Sequence, residues 1–139
     1  MIYTSPYQIH FDECDPAGIL FFANAWDICH RVYEGWLLKL KPDWTYWFNN
    51  PHWIIPIVNS SCNFHAPLPA GEKIEIQLQL KNLGKSSLHT QFTFRNSDKI
   101  FLECQIINVF TSKQTFTKID IPDEVRKLFD PYQPQVKES

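Results

Sequence analysis

Asn24–Lys41, NAWDICHRVYEGWLLKLK, is the stretch on which the fold turns. Ala25, Ile28, Cys29, Val32, Tyr33, Trp36, Leu37 and Leu40 recur at steps of three and four, which on a helix lays a wide apolar face over about five turns. Asn24, with Asp27 three positions on, supplies an N-cap and a first-turn carboxylate. Lys39 and Lys41 suit the negative end of a helix, and Pro42 stops it. A face this broad has to be buried against something.

The downstream half of the chain supplies the partner. From Ile54 onward the hydrophobic period falls to two: IIPIVNSSCNFHA reads as one strand, and EKIEIQLQLKNL sets Ile74, Ile76, Leu78 and Leu80 against Glu75, Gln77 and Gln79. SSLHTQFTFR, KIFLECQIINVF and TFTKIDI continue the pattern. Short turns at Pro69–Gly71, Gly84–Ser86, Asn96–Lys99 and Thr111–Gln114 join these segments, which implies a mostly antiparallel sheet covered by the helix. Upstream, YQIHF is a short strand-like start. Between helix and strands, PDWTYWFNNPHW mixes Pro, Asn and Asp with five aromatic residues and reads as an irregular segment laid over a pocket or a partner subunit. Pro122–Phe129 suits a short final helix, and residues 129–139 a frayed tail.

A chain of 139 residues suits a single domain, residues 1–139. The formal charge of -2 lacks the basic excess that phosphate backbones demand, so nucleic acid is not an expected partner. An aromatic content of 15% points to a large apolar interior, a buried interface or an aromatic ligand pocket, and composition does not choose among them. Cys14, Cys29, Cys62 and Cys104 are dispersed without a C-x-x-C, and MIYTSPYQIH has neither a basic nor an apolar leader region. Free thiols in a cytoplasmic protein are expected. Every apolar run is broken well short of the 18 or so residues of a membrane span, so no membrane partner is expected.

Phe11–Asp27, FDECDPAGILFFANAWD, sets Asp12, Glu13 and Asp15 directly against Ile19, Leu20, Phe21 and Phe22. Asp followed by Pro, Ala and Gly is ordinary turn composition, and on that reading the acids form a solvated turn. The chemical reading begins with the helix start, whose free N–H groups stabilise a developing negative charge. A carboxylate held opposite such amides is the minimum equipment for attack on an acyl group. Pro16 fixes a bend, and Gly18 lets a ligand approach the backbone. His10, His30, His52, His65 and His89 show no metal-ligand spacing, so no metal is expected. No G-x-S-x-G, Walker loop or dinucleotide-binding glycine pattern occurs. His30 and Glu34 lie four apart at one margin of the helical face, either as a simple surface pair or at the edge of a cavity.

Taken together, F-x-x-C-D-P-A-G-I, the five-turn helix, P-I-V opening a strand and F-H-A-P-L-P-A-G-E-K-I-E-I resemble the hot-dog-fold acyl-CoA thioesterases of the 4-hydroxybenzoyl-CoA thioesterase family, from about Tyr7 to Pro122. CDPAGI matches the aspartate-dependent branch nearly letter for letter, whereas ICHRVYE is similar to the helix of 1,4-dihydroxy-2-naphthoyl-CoA hydrolases. The resemblance implies an α+β hot-dog fold, a curved antiparallel sheet wrapped around one long helix, with dimers joined sheet edge to sheet edge and pairing into tetramers. It implies hydrolysis of an aromatic acyl-CoA, with no cofactor beyond the coenzyme A thioester substrate. Asp15 takes the place of the catalytic carboxylate and the Phe22 backbone amide that of the oxyanion donor, which moves the expected helix start to Phe21 or Phe22. Gly18 and Ile19 then belong to the acyl pocket, with His30 and Glu34 as further substrate contacts. Lys85 in LGKSS stands for the phosphate contact, with Lys81, Arg95 and Lys99 as bystanders, and Asp12 and Glu13 fall back to the solvated turn. A short-chain aliphatic acyl-CoA thioesterase and a non-catalytic acyl or aromatic binder are the other readings; a dehydratase would need an Asp and His pair that no motif supplies.

Overall fold

A computed structural model describes residues 1–134. The strands are β1 (Tyr3–Gln8), β2 (Trp53–Ile54), β3 (Ile57–Phe64), β4 (Lys73–Leu83), β5 (Ser87–Arg95), β6 (Ile100–Val109) and β7 (Thr111–Ser112), and the helices are α1 (Phe22–Leu40), α2 (Trp44–Phe48) and α3 (Asp123–Phe129). Five strands form one antiparallel sheet in the order β1-β4-β5-β6-β3, and β2 pairs with β7 apart from it. Register irregularities at Leu80/Asn82, Phe94/Arg95 and Ile57/Asn59 put bulges in the ladders, the standard means of bending a sheet around a helix.

The alternation in β4 holds as expected. Ile74, Ile76, Leu78 and Leu80 are buried, and with Leu88, Phe92, Phe94, Leu102, Cys104 and Ile106 they make the inner face. Against it α1 lays Ala25, Ile28, Cys29, Val32, Tyr33, Trp36 and Leu37, all buried. Each large aliphatic side chain removed from water contributes about 1.5–3 kcal/mol, so this face outweighs any helix propensity in holding α1. The helix starts at Phe22 with Phe21 as N-cap, as the family resemblance implied; Asn24 sits in the first turn and caps nothing.

Several local expectations fail for identifiable reasons. IIPIVNSSCNFHA is two strands, because Pro56 has no N–H to give a ladder and the chain changes sheet there. TFTKIDI forms no strand: Phe116 takes φ 56° in a turn in which its amide donates to Ser112 O (2.8 Å), leaving only an isolated bridge at Lys118. The aromatic segment is partly ordered as α2, capped by Asp43 accepting from Tyr46 N (3.1 Å). Its Trp47, and Trp53 beyond it, are buried against Phe129 and Phe110. The tail does not fray from Phe129. Phe129 stacks on Trp36 at 5.2 Å and Tyr132 meets the same indole edge-on, so the chain is packed through Tyr132, while the rest of the expected tail, residues 135–139, lies outside the described residues. Among the described residues no helix is long and apolar enough to cross a membrane.

Candidate active site

The segment between β1 and α1 is built turn by turn. After β1, Ile9 is buried and tied to the turn before β4, donating to Glu72 O (3.0 Å) and accepting from Gly71 N (2.8 Å). A single 3₁₀ turn, Phe11–Glu13, then returns the chain toward the helix. Glu13 corrects the solvated-turn expectation. Its side chain is buried and accepts from Tyr7 OH (2.5 Å) and His10 N (2.7 Å), with Arg31 Nη1 of α1 at 3.4 Å. Burial and then the hydrogen bond to Glu13 push the Tyr7 phenol up to about 12. The Glu13 carbonyl also accepts from Phe21 N (3.0 Å) and from Asn24 Nδ2 (2.9 Å). One residue thus pins β1, the turn and the helix start together. Asp12, one position earlier, is exposed as expected.

Asp15 opens a tight turn. Its carbonyl accepts from Gly18 N (2.9 Å), its Oδ1 accepts from Ala17 N (2.9 Å), and Pro16 occupies the second position, where its fixed φ is favoured. Gly18 has φ 80°, so a side chain here would be strained even though a Cβ would meet nothing. The chain then runs back antiparallel, with Asp15 N donating to Ile19 O (2.9 Å). Leu20 N donates to Leu68 O (2.7 Å) and Ala70 N to Gly18 O (3.0 Å), so the Ala66–Ala70 loop forms the opposite wall.

The result is a cavity of about 470 Å³ lined by Asp15, Ile19, Leu20, Phe21, Phe22 and the segment Phe64–Leu68. Apart from Asp15 and His65 its lining is apolar. Phe22 holds the first amide of α1; Phe21 offers no side-chain cap, and no carbonyl one turn back serves the amides of Phe22 and Ala23. Asp15 and an uncapped helix start therefore share one greasy cleft. Helix amides in such a place act on a negative charge that develops beside them.

Four expected contacts do not line this cavity: Gly18 shapes the turn beside it without reaching its wall, and His30, Glu34 and Lys85 lie elsewhere. His30 lies eight residues beyond Phe22, about 12 Å along the helix, and lines a smaller cavity of about 230 Å³ with Tyr33, Trp47, Trp53 and Lys113. Tyr33 in that wall is buried with an unpartnered hydroxyl, and burial pushes its pKa up. Glu34 lines neither cavity. Lys85 stands past the far end of β4, whose 11 residues span about 35 Å, and faces Asp120 at 3.9 Å in an exposed pair. Conversely, His65, Phe64 and Leu68 went unnoticed in the sequence as site residues. His65 Nε2 lies 3.5 Å from Glu103 Oε1 across the sheet, a pairing that no local pattern announces. Among the described residues no three His, Cys, Asp or Glu side chains are grouped to hold a metal ion.

A bent antiparallel sheet closed over a single long helix is the hot-dog fold. Residues 9–129 match the thioesterase-like superfamily, and the chain belongs to that family. It is 27% identical over 125 residues to a 1,4-dihydroxy-2-naphthoyl-CoA hydrolase from Nostoc punctiforme, covering 90% of this chain and 84% of that one. It is 32% identical over 105 residues to the enzyme of the same name from Picosynechococcus, covering 76% and 68%. In three dimensions it is similar to a 1,4-dihydroxy-2-naphthoyl-CoA thioesterase from Synechocystis with a TM-score of 0.85 at 18% identity, covering 94% of this chain and 96% of the other, a likeness of fold.

Proposed function

We propose that this protein hydrolyses an aromatic acyl-CoA thioester to the free acid and coenzyme A, with Asp15 as the reacting carboxylate and the Phe22 amide as the oxyanion donor. The observation that carries this is the placing of Asp15 and the first turn of α1 on one apolar cavity of about 470 Å³, large enough for one or two aromatic rings. The relatives named above, acting on a naphthoyl thioester, support the aromatic class. Ile19, Leu20 and Phe64 supply the wall for the ring.

Carboxylates ionise far below neutral pH and are feeble bases toward water, whereas a thiolate is a good leaving group. Direct attack is therefore the favoured route. A carboxylate oxygen of Asp15 adds to the thioester carbon, the oxyanion is held by Phe22 N–H and the positive end of α1, and collapse expels the CoA thiolate and leaves a mixed anhydride on Asp15. Water then hydrolyses the anhydride. Hydrogen bonding of Oδ1 to Ala17 N holds the carboxylate in orientation.

The free outer edge of β3, together with the exposed Val58, Phe64 and Phe22, supports a homodimer paired through this strand, the arrangement that would also enclose the cavity mouth. Free thiols at all four cysteines support a cytoplasmic setting. The reading is tested by release of thiol from benzoyl, hydroxybenzoyl, dihydroxynaphthoyl and short aliphatic CoA esters, with the mass in solution measured alongside. Turnover of the aromatic esters and its loss in Asp15→Asn, with an unchanged melting curve, are expected. Binding without thiol release from any ester would make the protein a binder, and turnover by Asp15→Asn near the parental rate would remove Asp15 from the chemistry.

A further inference from the structure

Two of the four dispersed cysteines meet in the folded chain. Cys62 of β3 and Cys104 of β6 are direct register partners, and their Sγ atoms are 2.6 Å apart. Cys29, buried on the sheet-facing side of α1, is the largest influence holding the Cys104 thiol above its ordinary pKa. Directly opposed residues of antiparallel strands have Cα atoms about 4.5–5.5 Å apart, inside the window of about 4.4–6.8 Å that a disulfide accepts. The pair therefore lies within reach of a disulfide.

We propose that Cys62 and Cys104 are a thiol pair that closes to a cross-strand disulfide in the presence of a small-molecule disulfide such as oxidised glutathione. Cys62 is the entry point. It is half-buried on the edge strand β3, whereas Cys104 is fully buried. The Cys62 thiolate attacks one sulfur of oxidised glutathione, forming a mixed disulfide and releasing one glutathione thiolate. The Cys104 thiolate then attacks the Cys62 sulfur, forming the protein disulfide and releasing the second. Two protein thiols are oxidised, one glutathione disulfide is reduced, and the two thiol protons pass to the departing glutathiones. Hydrogen bonding to Cys104 and burial push the Cys62 thiol up, so the resting pair stays protonated and reacts slowly.

The position of the pair gives the bond a consequence. Phe64, two residues along the same strand face from Cys62, lines the Asp15 cavity, and a bond from Cys62 to Cys104 ties that edge strand covalently to the sheet. The unfolded chain would be cross-linked through a loop of about 40 residues, so the oxidised protein should melt several degrees higher than the reduced one.

The test uses the full chain, folded and reduced, incubated with oxidised glutathione, quenched with iodoacetamide and digested for mass spectrometry. Expected are an intact mass lower by two hydrogens, a single peptide pair joining Cys62 to Cys104, reversal by dithiothreitol, and no intramolecular link in Cys62→Ser or Cys104→Ser. Alkylation of all four cysteines after prolonged incubation would overturn the proposal. So would glutathione retained on Cys62 beside a free Cys104, a link from Cys104 to Cys29, or a bond between the Cys62 residues of two copies.

Discussion

Phe22→Pro tests the proposed oxyanion donor apart from the rest of the helix start. Proline is tolerated at the first position of a helix, where its missing N–H has no intrahelical acceptor to lose, and it demands an extended residue before it. Phe21 already supplies one, with φ -72° and ψ 130°. The ring lost in the substitution is 61% exposed, so folding should change by only about 0.5 kcal/mol. The single group removed is the amide proposed as the oxyanion donor. Loss of one such donor costs about 2.7–4 kcal/mol of transition-state stabilisation, and kcat should fall about a hundredfold to a thousandfold. Phe22→Ala deletes the same ring while keeping the amide, and it should retain most of the rate, with any effect falling on KM. Steady-state thiol release on the best aromatic ester, with melting curves for both variants, makes the comparison. Equal kcat values for Phe22→Pro and Phe22→Ala would refute the assignment of that amide, whatever the role of Asp15.

Two further outcomes concern the residues around the turn. Glu13→Ala removes two charge-assisted hydrogen bonds, each contributing about 1.5–3 kcal/mol, and an ion pair on a mostly exposed Arg31 that contributes little. After partial rescue by water the loss should be about 3 kcal/mol, or roughly 10 °C in the melting midpoint, while Asp12→Ala should change almost nothing; equal melting of the two variants would return Glu13 to the solvated turn. Because Tyr7 is raised from 10.0 to about 12, the folded chain holds the phenol proton more tightly than the unfolded one, and the associated stability is complete below about pH 10 and drains away as the pH rises toward 12. Tyr7→Phe should flatten that alkaline limb in unfolding titrations, and an unchanged slope would show that Tyr7 carries none of it.

The legible parts of this protein were those set by neighbours in the chain. A period of three to four along Ala25–Leu40 and of two along Ile74–Leu80 each specify which side of an element is apolar, and a helix with one such side can only cover a sheet with another. Asp15, Pro16 and Gly18 were readable for the same reason, since a turn is closed by hydrogen bonds spanning two or three residues. Charge was a poorer guide. Asp12 and Glu13 look alike in sequence, and only the approach of Tyr7 and Arg31, from either side, buries the second and leaves the first in water. The cavity wall at Phe64–Leu68, the His65–Glu103 contact and the meeting of Cys62 with Cys104 were likewise decided by sheet register, which pairs residues about 40 positions apart. Removing His30 and Lys85 from the Asp15 cavity was a matter of length, since two helical turns and a full strand are rigid distances that spacing in a sequence does not display. Periodicity is a local property and survives in the unfolded chain, whereas burial and pairing exist only once the sheet has closed on α1.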